Sequence, residues 1–83
     1  MKVPKKPKKA FHPGYYIREY LSDAKISVNE FASQIGLPAY AALALVQNYG
    51  RVTPDIAERL EKRTGISAGT WLNLQRAYDE ATS

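Results

Sequence analysis

The sequence predicts an all-α fold of five short helices, and three observations predict it. Apolar residues recur at three- and four-residue intervals, the spacing that lines one face of a helix. The segments with this spacing open mostly on Ser, Thr or Pro and close on Gly or Asn, residues that start and stop helices. Nowhere does the chain alternate apolar and polar residues as a half-buried strand requires.

Each element follows from its own residues. Residues 1–11 hold Pro4 and Pro7 among lysines, too polar to bury and too interrupted for a helix, so they read as a flexible arm. Residues 12–83 read as the folded domain. Its first helix is expected over 13–24, with Pro13 at the first position, His12 before it as a turn or cap residue, Ile17 and Leu21 facing inward, and Tyr16 and Tyr20 as a neighbouring stripe. Ser27 opens the second helix, and Glu30 three positions on completes a capping box. Gly36 ends that helix because it accepts the positive φ of a left-handed stop. A third helix is expected over 38–48, followed by a turn at Asn48, Tyr49 and Gly50.

Thr53 and Pro54 form a cap and first turn for a fourth helix over 55–64. Ile56, Ala57 and Leu60 face inward there, with Asp55–Arg59 and Glu58–Lys62 pairs outward, and Gly65 stops it. Ser67 caps a fifth helix bearing Trp71, Leu72, Leu74 and Tyr78. Trp71 is assigned to the core. Leu72 and Tyr78 are the candidates for a subunit contact, and Asn73, Gln75 and Arg76 are placed on a solvated rim.

Bulk composition narrows the function. The net charge of +4 divides unevenly: Lys2, Lys5, Lys6, Lys8 and Lys9 put +5 in the first ten residues, and the other seven basic and eight acidic residues leave −1. The basic character therefore belongs to the arm, where Lys5, Lys6, Lys8 and Lys9 are candidate phosphate contacts or a plain solvated tail. No cysteine is present, so neither a disulfide nor a thiolate metal site is available, which fits a cytoplasmic protein. His12 is the lone histidine, with no ligand cluster around it, and no metal or cofactor is expected. Nothing gathers Ser, His and acidic residues into a site and no phosphate-binding glycine pattern occurs, so catalysis is not expected. No apolar run reaches the ~20 residues of a membrane span.

Residues 28–45 carry the main motif. Phe31, Ala32 and Ile35 form one helical face, Gly36 makes a tight turn, Leu37 plugs the corner, and Ala42, Leu45 and Val46 resume a helical face. That is the pattern of a helix–turn–helix, whose second helix enters a DNA major groove. The candidate base-contacting residues are Tyr40, Leu43, Ala44 and Gln47, with Asn48, Tyr49 and Arg51 facing the backbone. Yet residues 34–51 contain one formal charge, Arg51. Base readout commonly uses Arg, Lys, Asn or Gln; here Tyr40, Gln47 and Asn48 qualify, with thymine-methyl contacts open to Ala41 or Leu43. An exposed Tyr40, Leu43 and Tyr49 cluster reads equally as a protein-contact patch.

Three segments resemble the HigA-type antitoxins, lambda-repressor-like helix–turn–helix proteins of the Cro/repressor (XRE) class. They are His12-Pro13-Gly14 with Ile17-Arg18-Glu19 and Leu21; Thr53-Pro54-Asp55 with Ala57 and Arg59-Leu60; and Trp71-Leu72-Asn73-Leu74-Gln75 with Ala77-Tyr78-Asp79. The resemblance implies the antitoxin of a type II toxin–antitoxin module. Such a protein neutralises an mRNA-cleaving, HigB-like endonuclease by direct binding and represses its own operon as a homodimer, with the third helix on operator DNA and the last helix at the dimer interface. The chain departs from the pattern at Val28, where the class often has glutamine, at Tyr15, where an acidic residue is common, and along Ala39, Tyr40, Ala41, Leu43 and Ala44, where Ser, Thr and Arg are usual. Two other readings stay open: a helix–turn–helix regulator without a toxin, and a toxin-binding module that has lost sequence-specific DNA recognition.

Overall fold

The computed structural model describes residues 11–82. The candidate contacts Lys5, Lys6, Lys8 and Lys9 lie outside them. Five helices follow in order: α1 (Pro13–Ala24), α2 (Val28–Ile35), α3 (Ala39–Val46), α4 (Pro54–Thr64) and α5 (Ala68–Thr82), with no strand among the described residues. No helix among them is long and apolar enough to cross a membrane.

Local chemistry explains most of the boundaries. The Nδ1 of His12 accepts the Gly14 N–H at 2.9 Å, satisfying one free donor at the start of α1. At α2 the Ser27 hydroxyl accepts from the Glu30 N–H and the Glu30 carboxylate from the Ser27 N–H, both at 3.0 Å. Gly36 stops α2 with φ 72°, and the Leu37 N–H turns back to the Ala32 carbonyl at 3.0 Å, seating Leu37 against the core. Thr53 caps α4, which carries Asp55 in its first turn and Lys62 and Arg63 in its last, each sign matched to the helix dipole. The Ser67 hydroxyl accepts the Thr70 N–H at 3.1 Å where α5 begins.

The third helix is shorter than its sequence suggests. It stops at Val46, and Asn48 takes φ 69°. The N–H groups of Tyr49 and Gly50 both return to the Ala44 carbonyl, at 2.8 and 3.0 Å, while the Arg18 guanidinium from α1 takes the Val46 carbonyl. These bonds satisfy the carbonyls that a longer helix would have used.

Ile17, Phe31, Ala42, Leu45, Ala57, Leu60 and Trp71 are fully buried and join all five helices in one core. Helices α2 and α3 pack as the helix–turn–helix pair, α1 crosses α3, and α5 braces α4 and α1. The crossing of α1 on α3 depends on Gly14: a Cβ there would lie 2.1 Å from the Leu45 carbonyl oxygen. One assignment reverses. Gln75, expected on the rim, is 4% exposed. Its Oε1 accepts the Val52 N–H at 2.8 Å and its Nε2 donates to Asp79 at 3.0 Å. The reason is an unpaired donor: Val52 is buried in the extended link before α4, and its N–H needs a partner away from water.

Candidate nucleic-acid interface

With its buried face on Ala42, Leu45 and Val46, α3 turns the opposite side outward. Tyr40 is 78% exposed and Leu43 43%, and Gln47 follows one turn later on the same side. Ala44 is half-buried at the edge of that stripe, as is Ala41, while Ala39 is exposed at the start of the helix. Just beyond the helix, Tyr49 is 83% exposed. Tyr40, Leu43 and Gln47 thus share one uncharged, solvent-facing side of α3, and Tyr49 is exposed just beyond it.

The link from Gln47 to Val52 is held from two sides. From α1, Arg18 donates to the Val46 carbonyl and to the Asn48 Oδ1 (3.0 Å for the second). Because His12 Nδ1 accepts from Gly14, its ring proton sits on Nε2, which donates to the Gly50 carbonyl at 2.7 Å. From α5, Asp79 meets Arg51 in a two-pronged pair at 2.9 and 2.7 Å, and Gln75 holds Val52.

This clamp changes the standing of two predicted contacts. Arg51, read from sequence as a free phosphate contact, already spends its guanidinium on Asp79, and Asn48 spends its side-chain oxygen on Arg18. The pair leaves a signature in both partners: the Arg51 bond, aided by the Gln75 amide, pulls the Asp79 carboxyl below the usual carboxylate range and lifts Arg51 above its own. Burial pushes the His12 imidazole below its ordinary value, against the pull of the Gly50 bond.

The two residues proposed for a subunit contact are half-buried. Leu72 packs on the core, and the Tyr78 ring meets His12 edge-on with centroids 4.9 Å apart. Sequence reasoning missed Arg18, Gln75 and Asp79. Only Gln75 left a usable signal, since it lies four positions after Trp71 and so on the same inward face. A separate recess of about 170 Å³, lined by Gln34, Ile35, Arg59, Lys62 and Arg63, is basic, but its Arg59 is engaged with the Ile35 and Gly36 carbonyls and with Asp55.

A five-helix core that presents a short helix outward, after a glycine turn, defines a helix–turn–helix protein. No protein-family model matches the chain. It is 35% identical over 69 residues to the HTH-type transcriptional regulator YddM of Escherichia coli K12, covering 83% of this chain and 73% of that one. It is also 35% identical over 71 residues to virulence-associated protein I of Dichelobacter nodosus, covering 84% of this chain and 66% of that one. Among solved structures, an addiction-module antidote protein of the HigA family from Coxiella burnetii superposes with a TM-score of 0.85 at 35% identity, covering 89% of this chain and 82% of that one. The Pseudomonas aeruginosa antitoxin HigA, solved with the higBA promoter, gives 0.85 at 32% identity, with 89% and 82% covered. The chain belongs to the HigA family of helix–turn–helix antitoxins. Proteins of this class act by binding and not by catalysis.

Proposed function

We propose that this protein is the antitoxin of a type II toxin–antitoxin pair. It neutralises an mRNA-cleaving, HigB-like toxin by direct binding in the cytoplasm, and it represses its own operon as a homodimer that docks α3 in the major groove of operator DNA. The observation that carries the reading is the solvent-facing stripe of α3, presented by the same fold that was solved with promoter DNA in the Pseudomonas aeruginosa relative. Tyr40, Leu43, Ala44 and Gln47 face the bases in this arrangement. Asn48, Tyr49 and the arm lysines Lys5, Lys6, Lys8 and Lys9 face the backbone, and Arg51 joins them by exchanging Asp79 for a phosphate. Leu72 and Tyr78 border the second copy. A two-fold dimer sets its two α3 helices one DNA turn apart, about 34 Å.

A gel shift on the region upstream of its own gene, at two salt concentrations, tests the DNA half. Tight, sequence-dependent binding supports the repressor, with Gln47→Ala weakening it by about 1–3 kcal/mol if the glutamine makes a good base contact. Weak binding that ignores sequence supports a second reading, a toxin-binding module without operator recognition. The near absence of charge on α3 and its flanks favours that alternative, because phosphate neutralisation supplies most non-specific affinity. Co-purification from the native operon tests the toxin half: a partner of ribonuclease activity silenced in the complex is expected, and a regulator isolated alone refutes it.

A further inference from the structure

We infer that this protein reads its operator through thymine methyls and adenine edges, and makes no direct contact with guanine. The inference rests on the DNA-binding half of the reading above and specifies what α3 recognises there.

Each base offers different chemistry in the major groove. Guanine shows two acceptors, N7 and O6, which call for Arg or Lys; cytosine shows an amino donor, which calls for a carboxylate. Adenine pairs its N7 acceptor with the N6 donor, matching a Gln or Asn amide, and thymine adds a methyl group that welcomes apolar side chains. The outward stripe of α3 holds no Arg or Lys fork for guanine and no carboxylate for cytosine, and its Leu43 and Gln47 match the last two types best. Leu43 is an exposed aliphatic side chain that takes no part in the chain's own core. Gln47 is exposed one turn further on, and Tyr40 adds an aromatic face with a hydroxyl at its tip. No charged residue lies on α3 at all.

The two arginines near enough to compensate are committed elsewhere. Arg18 closes the end of α3 through the Val46 carbonyl and Asn48, and Arg51 is held in its two-pronged bond to Asp79, which in the complex it gives up for a phosphate. Releasing Arg18 uncaps the helix; releasing Arg51 leaves Asp79 with the Gln75 amide and solvent and gives up a two-pronged ion pair. Neither side chain is therefore a spare fork for guanine. From Leu43 to Gln47 the helix rises about 6 Å, which spans roughly two base-pair steps, so one α3 addresses a thymine and a nearby adenine in a short A·T run.

The test is a binding titration of the full chain on its own upstream region, in three forms: unmodified, with every thymine replaced by deoxyuridine, and with every guanine replaced by 7-deazaguanine. Deoxyuridine removes only the methyl, and 7-deazaguanine removes the N7 acceptor. Losing one buried methyl contact weakens binding by about fourfold, or about tenfold or more for two α3 copies. The 7-deazaguanine fragment is expected to bind within about twofold of the unmodified one. A variant, Leu43→Ala, separates methyl contact from altered DNA stiffness: it is expected to bind thymine and uracil fragments alike, whereas an effect of stiffness persists in it. Equal binding of thymine and uracil fragments by the parent chain overturns the inference, as does a thymine preference that survives Leu43→Ala, or a larger loss with 7-deazaguanine than with uracil. Failure of the unmodified fragment to bind overturns the operator reading itself, which keeps the two failures distinct.

Discussion

Replacing Gln75 with leucine isolates what the buried glutamine does. The substitution keeps the bulk of the side chain against α4 and α1 but removes the acceptor for the Val52 N–H and the donor to Asp79. Val52 is 3% exposed, so water cannot replace the lost acceptor. Leaving one buried donor unpaired costs about 1–3 kcal/mol. Losing the hydrogen bond to Asp79 adds about 1 kcal/mol and the leucine recovers about as much through apolar contact, so a net loss of about 2 kcal/mol is expected. For a domain of this size each kcal/mol moves the midpoint by about 4–8 °C, which puts the Tm about 8–16 °C below the parent. Thermal melts followed by circular dichroism, with urea titration as a second route, measure it. Operator affinity should fall with stability because the link carrying Tyr49 loses its anchor on α5. A Gln75→Leu protein melting within about 2 °C of the parent would show that Val52 finds another partner, and the clamp as described would be wrong.

Three further perturbations test neighbouring parts. Gly14→Ala sets a Cβ 2.1 Å from the Leu45 carbonyl oxygen and 2.7 Å from the Asn48 Oδ1, so α1 must lift from α3. A destabilisation of at least about 1–3 kcal/mol in urea is expected, and a neutral result refutes the close crossing. His12 is held below its ordinary value of 6.5, so the unfolded chain takes up this proton before the folded one does. Its contribution to stability is therefore intact above pH 6.5, declines as pH falls below that through the depressed folded value, and then levels off. His12→Asn should flatten that part of a pH series of urea midpoints. Arg51→Ala removes the phosphate contact that Arg51 makes on leaving Asp79, so the slope of log K against log salt should become shallower by about 0.9; an unchanged slope means Arg51 never reaches DNA.

Much of the fold was legible because its stops and starts are local. Ser27 with Glu30, the glycine at 36, Thr53 with Pro54 and Ser67 each act within one helical turn, and their helices begin or end where those residues place them. The end of α3 was not legible, because what finishes it comes from elsewhere: Arg18 arrives from a position 28 residues away and His12 from 38 residues before Gly50. The same holds for Arg51 and Asp79, 28 residues apart, which look like two independent surface charges until α5 folds back. Gln75 was misplaced for a different reason. A glutamine on a surface helix is usually solvated, and that expectation outweighed its spacing from Trp71. Of the interface, the exposed apolar stripe could be foreseen from the sequence; the commitment of its flanking charges could not.

The brevity of α3 sets a limit on how much text it reads. Eight residues at 1.5 Å each give a helix of about 12 Å, long enough to face three or four base pairs. At two bits per fully determined pair that is roughly seven bits, and fewer where the alphabet is restricted, against the about 20 bits needed to single out one address among a million competing sites. A single copy is thus illiterate at genome scale. Two copies bring the total to about fourteen bits, so any operator this chain picks out must be written at least twice, with contacts beyond α3 supplying the rest.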